Sequence, residues 1–170
     1  MRSWLSQELL DGLARAWSRL DRARPVRQED AHHVTDALAE WLERTVRFED
    51  ELRATMGGSY LVHSADSTVA GALPGLRLVH ALMEGGGHRV SDFVTVSSGS
   101  PPTYHDALWL PWAHLPQIRE AAGSPAGEAA YRQHLAGLAA RLSAAEVTRF
   151  LLDAALDRRD DLAGAASPVG

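Results

Sequence analysis

The chain has 170 residues, 45% of them apolar and 23% charged, and a net charge of −5. Those totals fit one globular domain with a real core and exclude a disordered or fibrous chain. The absence of cysteine excludes disulfides, thiolate–metal sites and a cysteine nucleophile, and the absence of lysine excludes a Schiff base or a P-loop lysine.

Trp4, Leu5, Leu9, Leu13, Trp17 and Leu20 recur at helical spacing and predict an amphipathic helix over 3–22. Arg24-Pro25 ends it, because proline disfavours helical geometry in the residue before it. A second helix is predicted over 28–56 on the stripe Val34, Leu38, Trp41, Leu42, Thr45, Phe48, Leu52 and Met56, stopped by Gly57-Gly58. The two are expected to pair antiparallel across a short connection.

Residues 59–63 and 92–97 are short, β-branched or aromatic, and bounded by glycine or serine, which predicts strands. Between them 74–84 carries Leu76, Val79, Leu82 and Met83 in helical register, ahead of a triple glycine. A Ser/Gly/Pro stretch over 97–103 follows. Residues 104–123 read as two short helical pieces, bent by Pro111 and Pro116. Ser124-Pro125 reads as an N-cap and first helical residue, with Tyr131, Leu135, Leu138 and Leu142 as the buried stripe. Ser143-Ala144-Ala145-Glu146 reads as a capping box opening a last helix that carries Val147, Phe150, Leu151 and Ala154. Residues 157–162 form a charged end and 163–170 a frayed tail.

The expected architecture is a single domain, 1–170, that is mainly α. Helical segments 1–56 and 124–162 make a bundle of about four long helices, and 57–123 forms an irregular insert of short strands, a short helix and loops. Function tends to reside in irregular segments held by a rigid scaffold, which points to the insert.

Five of the eight histidines fall there: His63, His80, His88, His105 and His114. His80 and Glu84 share a helix face, and the glycine run can return His88 to it, giving a candidate metal set beside the plainer reading of a dipole-stabilised terminal histidine. Ser98 and Ser100 sit in a loop whose hydroxyls and N–H groups suit an anion, although Pro101 and Pro102 remove two donors. Tyr104 and His105 are the acid–base candidates, with His63 as a partner from elsewhere. Trp109, Trp112 and His114 surround a proline bend, where indoles line a pocket or close the end of a bundle. His105 or His114 would be the axial ligand of a haem, but the spacing specifies no cofactor.

The segment Arg27-Gln28-Glu29-Asp30-Ala31-His32 is similar to the loose Arg-x4-6-His pattern of the HEPN ribonuclease group, which is also all-helical. The resemblance covers six residues and implies RNA cleavage, but it falls beside two acidic groups that repel phosphate. The mild acidic balance argues against nucleic acid generally. Arg15, Arg19, Arg22, Arg24 and Arg27, mixed with Asp21, Glu29 and Asp30, read as a solvated helix end.

Arginine-only cation usage with abundant Ala, Leu and Gly reads as a GC-rich bacterial genome, and the lack of cysteine fits a reducing cytoplasm. No secretory segment or bilayer-spanning run is visible, so the expectation is a soluble chain without a membrane partner. The leading functional expectation is a small-molecule-binding protein or small enzyme, its His/Tyr/Trp pocket lying between bundle and insert. A non-catalytic interaction or regulatory module, including a homo-oligomer, is the alternative, and a HEPN-like ribonuclease the third.

Overall fold

The computed structural model describes residues 5–65, 67–86, 89–97, 103–115 and 125–165. Its order is α1 (Gln7–Arg22), α2 (His32–Met56), α3 (Gly58–Ala65), α4 (Leu73–Gly86), β1 (Ser91–Ser97), β2 (Thr103–Trp109), α5 (Pro125–His134) and α6 (Ala140–Ala165), with single 3-10 turns at Gln28–Asp30, Ala70–Ala72 and Trp112–His114. The chain is mainly α with one small antiparallel hairpin.

Helix α1 begins where the Ser6 hydroxyl accepts the Leu9 N–H, satisfying a donor the first turn would leave open. It buries Leu10, Leu13, Ala16 and Leu20 against α2, which buries Val34, Leu38, Trp41, Leu42, Phe48 and Leu52. The pair is antiparallel: Gly12 lies near Arg44, Arg19 bonds Glu40, and Arg22 and His33 line one groove. Helix α2 also packs against α4 and α6, so it forms the centre of the fold. The Trp41 indole donates to the Thr148 hydroxyl at 2.8 Å, joining α2 to α6 through a fully buried polar pair. Gly57, at φ 55°, ends α2 in a conformation a side chain resists.

Several local expectations are corrected. Residues 59–63 are not a strand but the body of α3; a short apolar run has no period that separates strand from buried helix. Tyr60 there is fully buried and bonded to α2. Residues 103–109 are not helical but form β2, which supplies β1 with the partner its backbone needs, in the register Ser91↔Trp109 to Ser97↔Thr103. Helix α5 stops at His134, because Gly137 turns the chain at φ 74°. Leu138 and Leu142 are therefore 47% and 58% exposed rather than core. Ser143 caps nothing: α6 already starts at Ala140, and the Ser143 hydroxyl donates back to the Ala139 carbonyl at 3.5 Å. The Ser124 cap, Pro116, Trp4 and the tail beyond 165 lie outside the described residues.

The helix crossings are close. A Cβ added at Gly75 would lie 2.8 Å from the Tyr131 nitrogen, so α4 meets the backbone of α5 directly. The Tyr131 hydroxyl donates to the Leu110 carbonyl at 2.5 Å, and Trp112 packs on the Tyr131 ring at 5.8 Å. No helix is long and apolar enough, among the described residues, to cross a membrane.

Candidate functional site

Among the described insert residues, Tyr104, His105, Trp109, Trp112 and His114 meet different neighbours. Tyr104 and His105 are neighbours on β2, and successive strand residues face opposite sides. Arg24 lies over the Tyr104 ring at 5.2 Å, and the His105 Nδ1 is 3.5 Å from the Thr95 hydroxyl. Trp109 is fully buried, and its indole N–H has no hydrogen-bond partner among the described residues. Trp112 is held between Tyr131 and Arg132. His114 is exposed in a shallow depression with Arg89 and Asp92. His63 falls within α3. His80 Nδ1 lies 3.6 Å from Glu84 Oε2, as the shared helix face requires. Their third expected partner, His88, and the loop serines Ser98 and Ser100 lie outside the described residues.

Two buried charge clusters that the sequence reading did not single out hold the scaffold. Glu49 is fully buried on the apolar face of α2. Its Oε1 accepts from Arg53 at 2.7 and 2.9 Å and from the Tyr60 hydroxyl at 3.1 Å, and its Oε2 accepts from Arg77 at 2.7 Å. Arg77 reaches on to Asp50 at 2.6 Å. Each lone pair that burial strips of water thus meets a donor. The spacing 42, 45, 49, 52 signalled this position, because Glu49 falls on the core stripe. Burial and the Glu49 charge push the Tyr60 phenol above its ordinary range; burial alone does the same for Tyr131. The Arg77 guanidinium is held charged by Asp50 and Glu49 despite desolvation.

The second cluster centres on Arg141. Its guanidinium donates to the Leu20 and Ala23 carbonyls, which the end of α1 leaves open, and to buried Asp106 of β2 at 3.2 and 3.3 Å. In both clusters the buried carboxylate is met by guanidinium donors. They are structural.

An open groove with charged walls lies between the end of α1 and the start of α2, about 850 Å3 in volume. Arg15, Ser18, Arg19 and Arg22 follow i, i+3, i+4, i+7 on α1, and His33, Asp36, Ala37 and Glu40 repeat that spacing on α2. The small side chains of Ala23 and Ala37 give the groove its depth. Arg19 bonds Glu40. Arg22 donates to the Ser18 hydroxyl at 2.7 Å and meets no carboxylate among the described residues, and neither does Arg15. The wall therefore carries three guanidiniums against two carboxylates, one of them already engaged.

Next to it, ligand atoms of His32, His33 and Asp36 lie within 4.8 Å of one another. The two rings are 4.1 Å apart, and His32 Nδ1 is 3.0 Å from the Glu29 carbonyl. Arg27, the other half of the ribonuclease-like pattern, is turned to Glu29 at 3.6 Å.

No family model, curated protein or solved structure matches this chain. The reading of function therefore rests on the site's own chemistry.

Proposed function

We propose that the chain is a small-molecule-binding protein of the bacterial cytoplasm, and that its ligand is a small carboxylate or phosphate compound held in the α1/α2 groove. One observation carries this reading: Arg15 and Arg22 line a ligand-sized groove and form no ion pair among the described residues. Guanidinium forks match carboxylate and phosphate oxygens and bind them more strongly than neutral donors do. The volume falls in the usual range for small-molecule sites, roughly 300–1,000 Å3. His33 lies on the opposite wall, where an imidazole can take or give a proton to a bound anion. The groove lies between the two helices rather than in the insert expected from the sequence, and its arginines and His33 supply the chemistry of this reading.

The test is thermal unfolding with inorganic phosphate, pyrophosphate and citrate. A ligand at a hundredfold excess over its Kd adds about 2.7 kcal/mol, which raises Tm by roughly 5–10 °C for a domain of this size. Arg15→Ala with Arg22→Ala should abolish the shift without lowering the melting point of the free protein. Retention of the shift in that double variant would remove the groove from consideration.

A second reading has its own observation. Leu142 and Leu156, 58% and 50% exposed, lie two heptads apart on α6, as on an interaction or self-association face. Monomeric behaviour at high concentration, with no change on Leu142→Glu, would count against it. Cleavage of an RNA oligonucleotide that is lost in His32→Ala would instead favour the HEPN-like ribonuclease.

A further inference from the structure

We propose that His32, His33 and Asp36 form a binding site for a divalent metal ion of the zinc class at the rim of the groove. Asp36 lies four residues after His32 and three after His33, so the first turn of α2 projects all three to one side. Their ligand atoms lie within 4.8 Å of one another. A four-coordinate zinc with bonds near 2.1 Å sets its ligands about 3.4 Å apart, so no pair of these atoms has to close by more than about 1.4 Å. All three are exposed.

The hydrogen bonding adds an independent argument. A backbone carbonyl only accepts, so the 3.0 Å contact between His32 Nδ1 and the Glu29 carbonyl puts the ring proton on Nδ1. That leaves the lone pair on Nε2, the arrangement found where an imidazole binds a metal and its other nitrogen is anchored to a carbonyl. Asp36 forms no ion pair among the described residues, although arginines line the same groove, so its charge is available to the cation. Two imidazoles and one carboxylate, with positions left open, select zinc, cobalt or nickel over magnesium or calcium, which prefer oxygen. The positive end of α2 opposes a cation here, and the Asp36 carboxylate offsets it.

The experiment uses Co2+ as a spectroscopic stand-in for zinc, added to the full chain. Expected is a visible absorption band that saturates at one ion per chain and is displaced by Zn2+. His33→Ala or Asp36→Asn should weaken binding at least about tenfold, since even loss of an outer-shell partner costs that much. Arg15→Ala with Arg22→Ala should leave the Co2+ band intact, so loss of anion binding and loss of metal binding are read separately. Far-ultraviolet circular dichroism of each variant shows whether it is folded, and His32→Gln serves as a second ligand variant. Absence of the band at millimolar Co2+, or an affinity unmoved by all three ligand substitutions in folded protein, would overturn the site.

Discussion

Gly75→Ala and Gly85→Ala, two substitutions on the same helix, separate packing from propensity. Both replace the residue least suited to a helix, and by that effect alone each should stabilise by up to about 1 kcal/mol. At Gly85 a Cβ meets nothing within 4 Å, so the gain is kept. At Gly75 the new carbon would sit 2.8 Å from the Tyr131 nitrogen, 2.9 Å from its Cα and 3.1 Å from a Leu135 methyl. Two of those three obstacles are backbone, so relief requires α5 to move by about half an ångström, an overpacking cost of roughly 1–3 kcal/mol and at times more. The expected net result is a loss of about 1–2 kcal/mol for Gly75→Ala and a gain of a few tenths to 1 for Gly85→Ala. At roughly 2–4 °C per kcal/mol, Tm falls by about 2–8 °C in the first and rises by up to about 4 °C in the second. Urea denaturation followed by circular dichroism checks both, with the slope constant between variants. A Gly75→Ala midpoint equal to or above wild type would refute the backbone contact between α4 and α5.

Glu49→Gln should cost about 2–3 kcal/mol in urea, below the usual ~3–5 for a broken buried pair because the Arg53 side chain is 46% exposed and regains water. Arg141→Ala should be worse, about 3–5 kcal/mol, because Asp106 is left charged and 7% exposed and the carbonyls at the end of α1 lose their donor; a loss under 1 kcal/mol would mean that water serves Asp106 as well. In alkali the sign follows from the raised Tyr60 and Tyr131 phenols. The folded chain keeps protons that the unfolded chain releases, so their contribution is complete below about pH 10 and disappears as pH rises past it. Absorbance of tyrosinate should accordingly appear in step with unfolding for these two rings; full ionisation of all three tyrosines in a still-folded protein would contradict it.

The long amphipathic elements were legible because their apolar period spans many turns. The stripe from Val34 to Leu52 predicted a helix over 28–56 where α2 runs from His32 to Met56, and Glu49, which was not singled out, falls on the same buried face. Arg53 is one turn away, but Tyr60 and Arg77 arrive from other elements, which no local pattern encodes. The hairpin was half legible: β1 announced itself by β-branched residues, whereas β2 buries consecutive residues, Asp106 and Ala107, and so lacks the alternation that marks a strand. Its burial pattern follows from Arg141, 35 residues away. One wall of the groove, the arginine face of α1, read alone as a solvated helix end. Only the antiparallel pairing of α1 and α2 sets Arg15 and Arg22 opposite His33 and Asp36.

The outer edge of β2 is taken at both ends. The His105 amide donates to the Pro25 carbonyl at 2.9 Å, and Trp109 exchanges backbone hydrogen bonds with Leu138 and Gly137 at 2.9 and 3.0 Å. A short strand in mid-chain thereby clasps the link between α1 and α2 on one side and the link between α5 and α6 on the other. The hairpin thereby adds to the direct ties between the helices, Trp41 to Thr148 and Arg141 to the end of α1, and is a poor place to insert a tag. The His105 and Trp109 amides should trade their protons with deuterated water only when the whole domain opens.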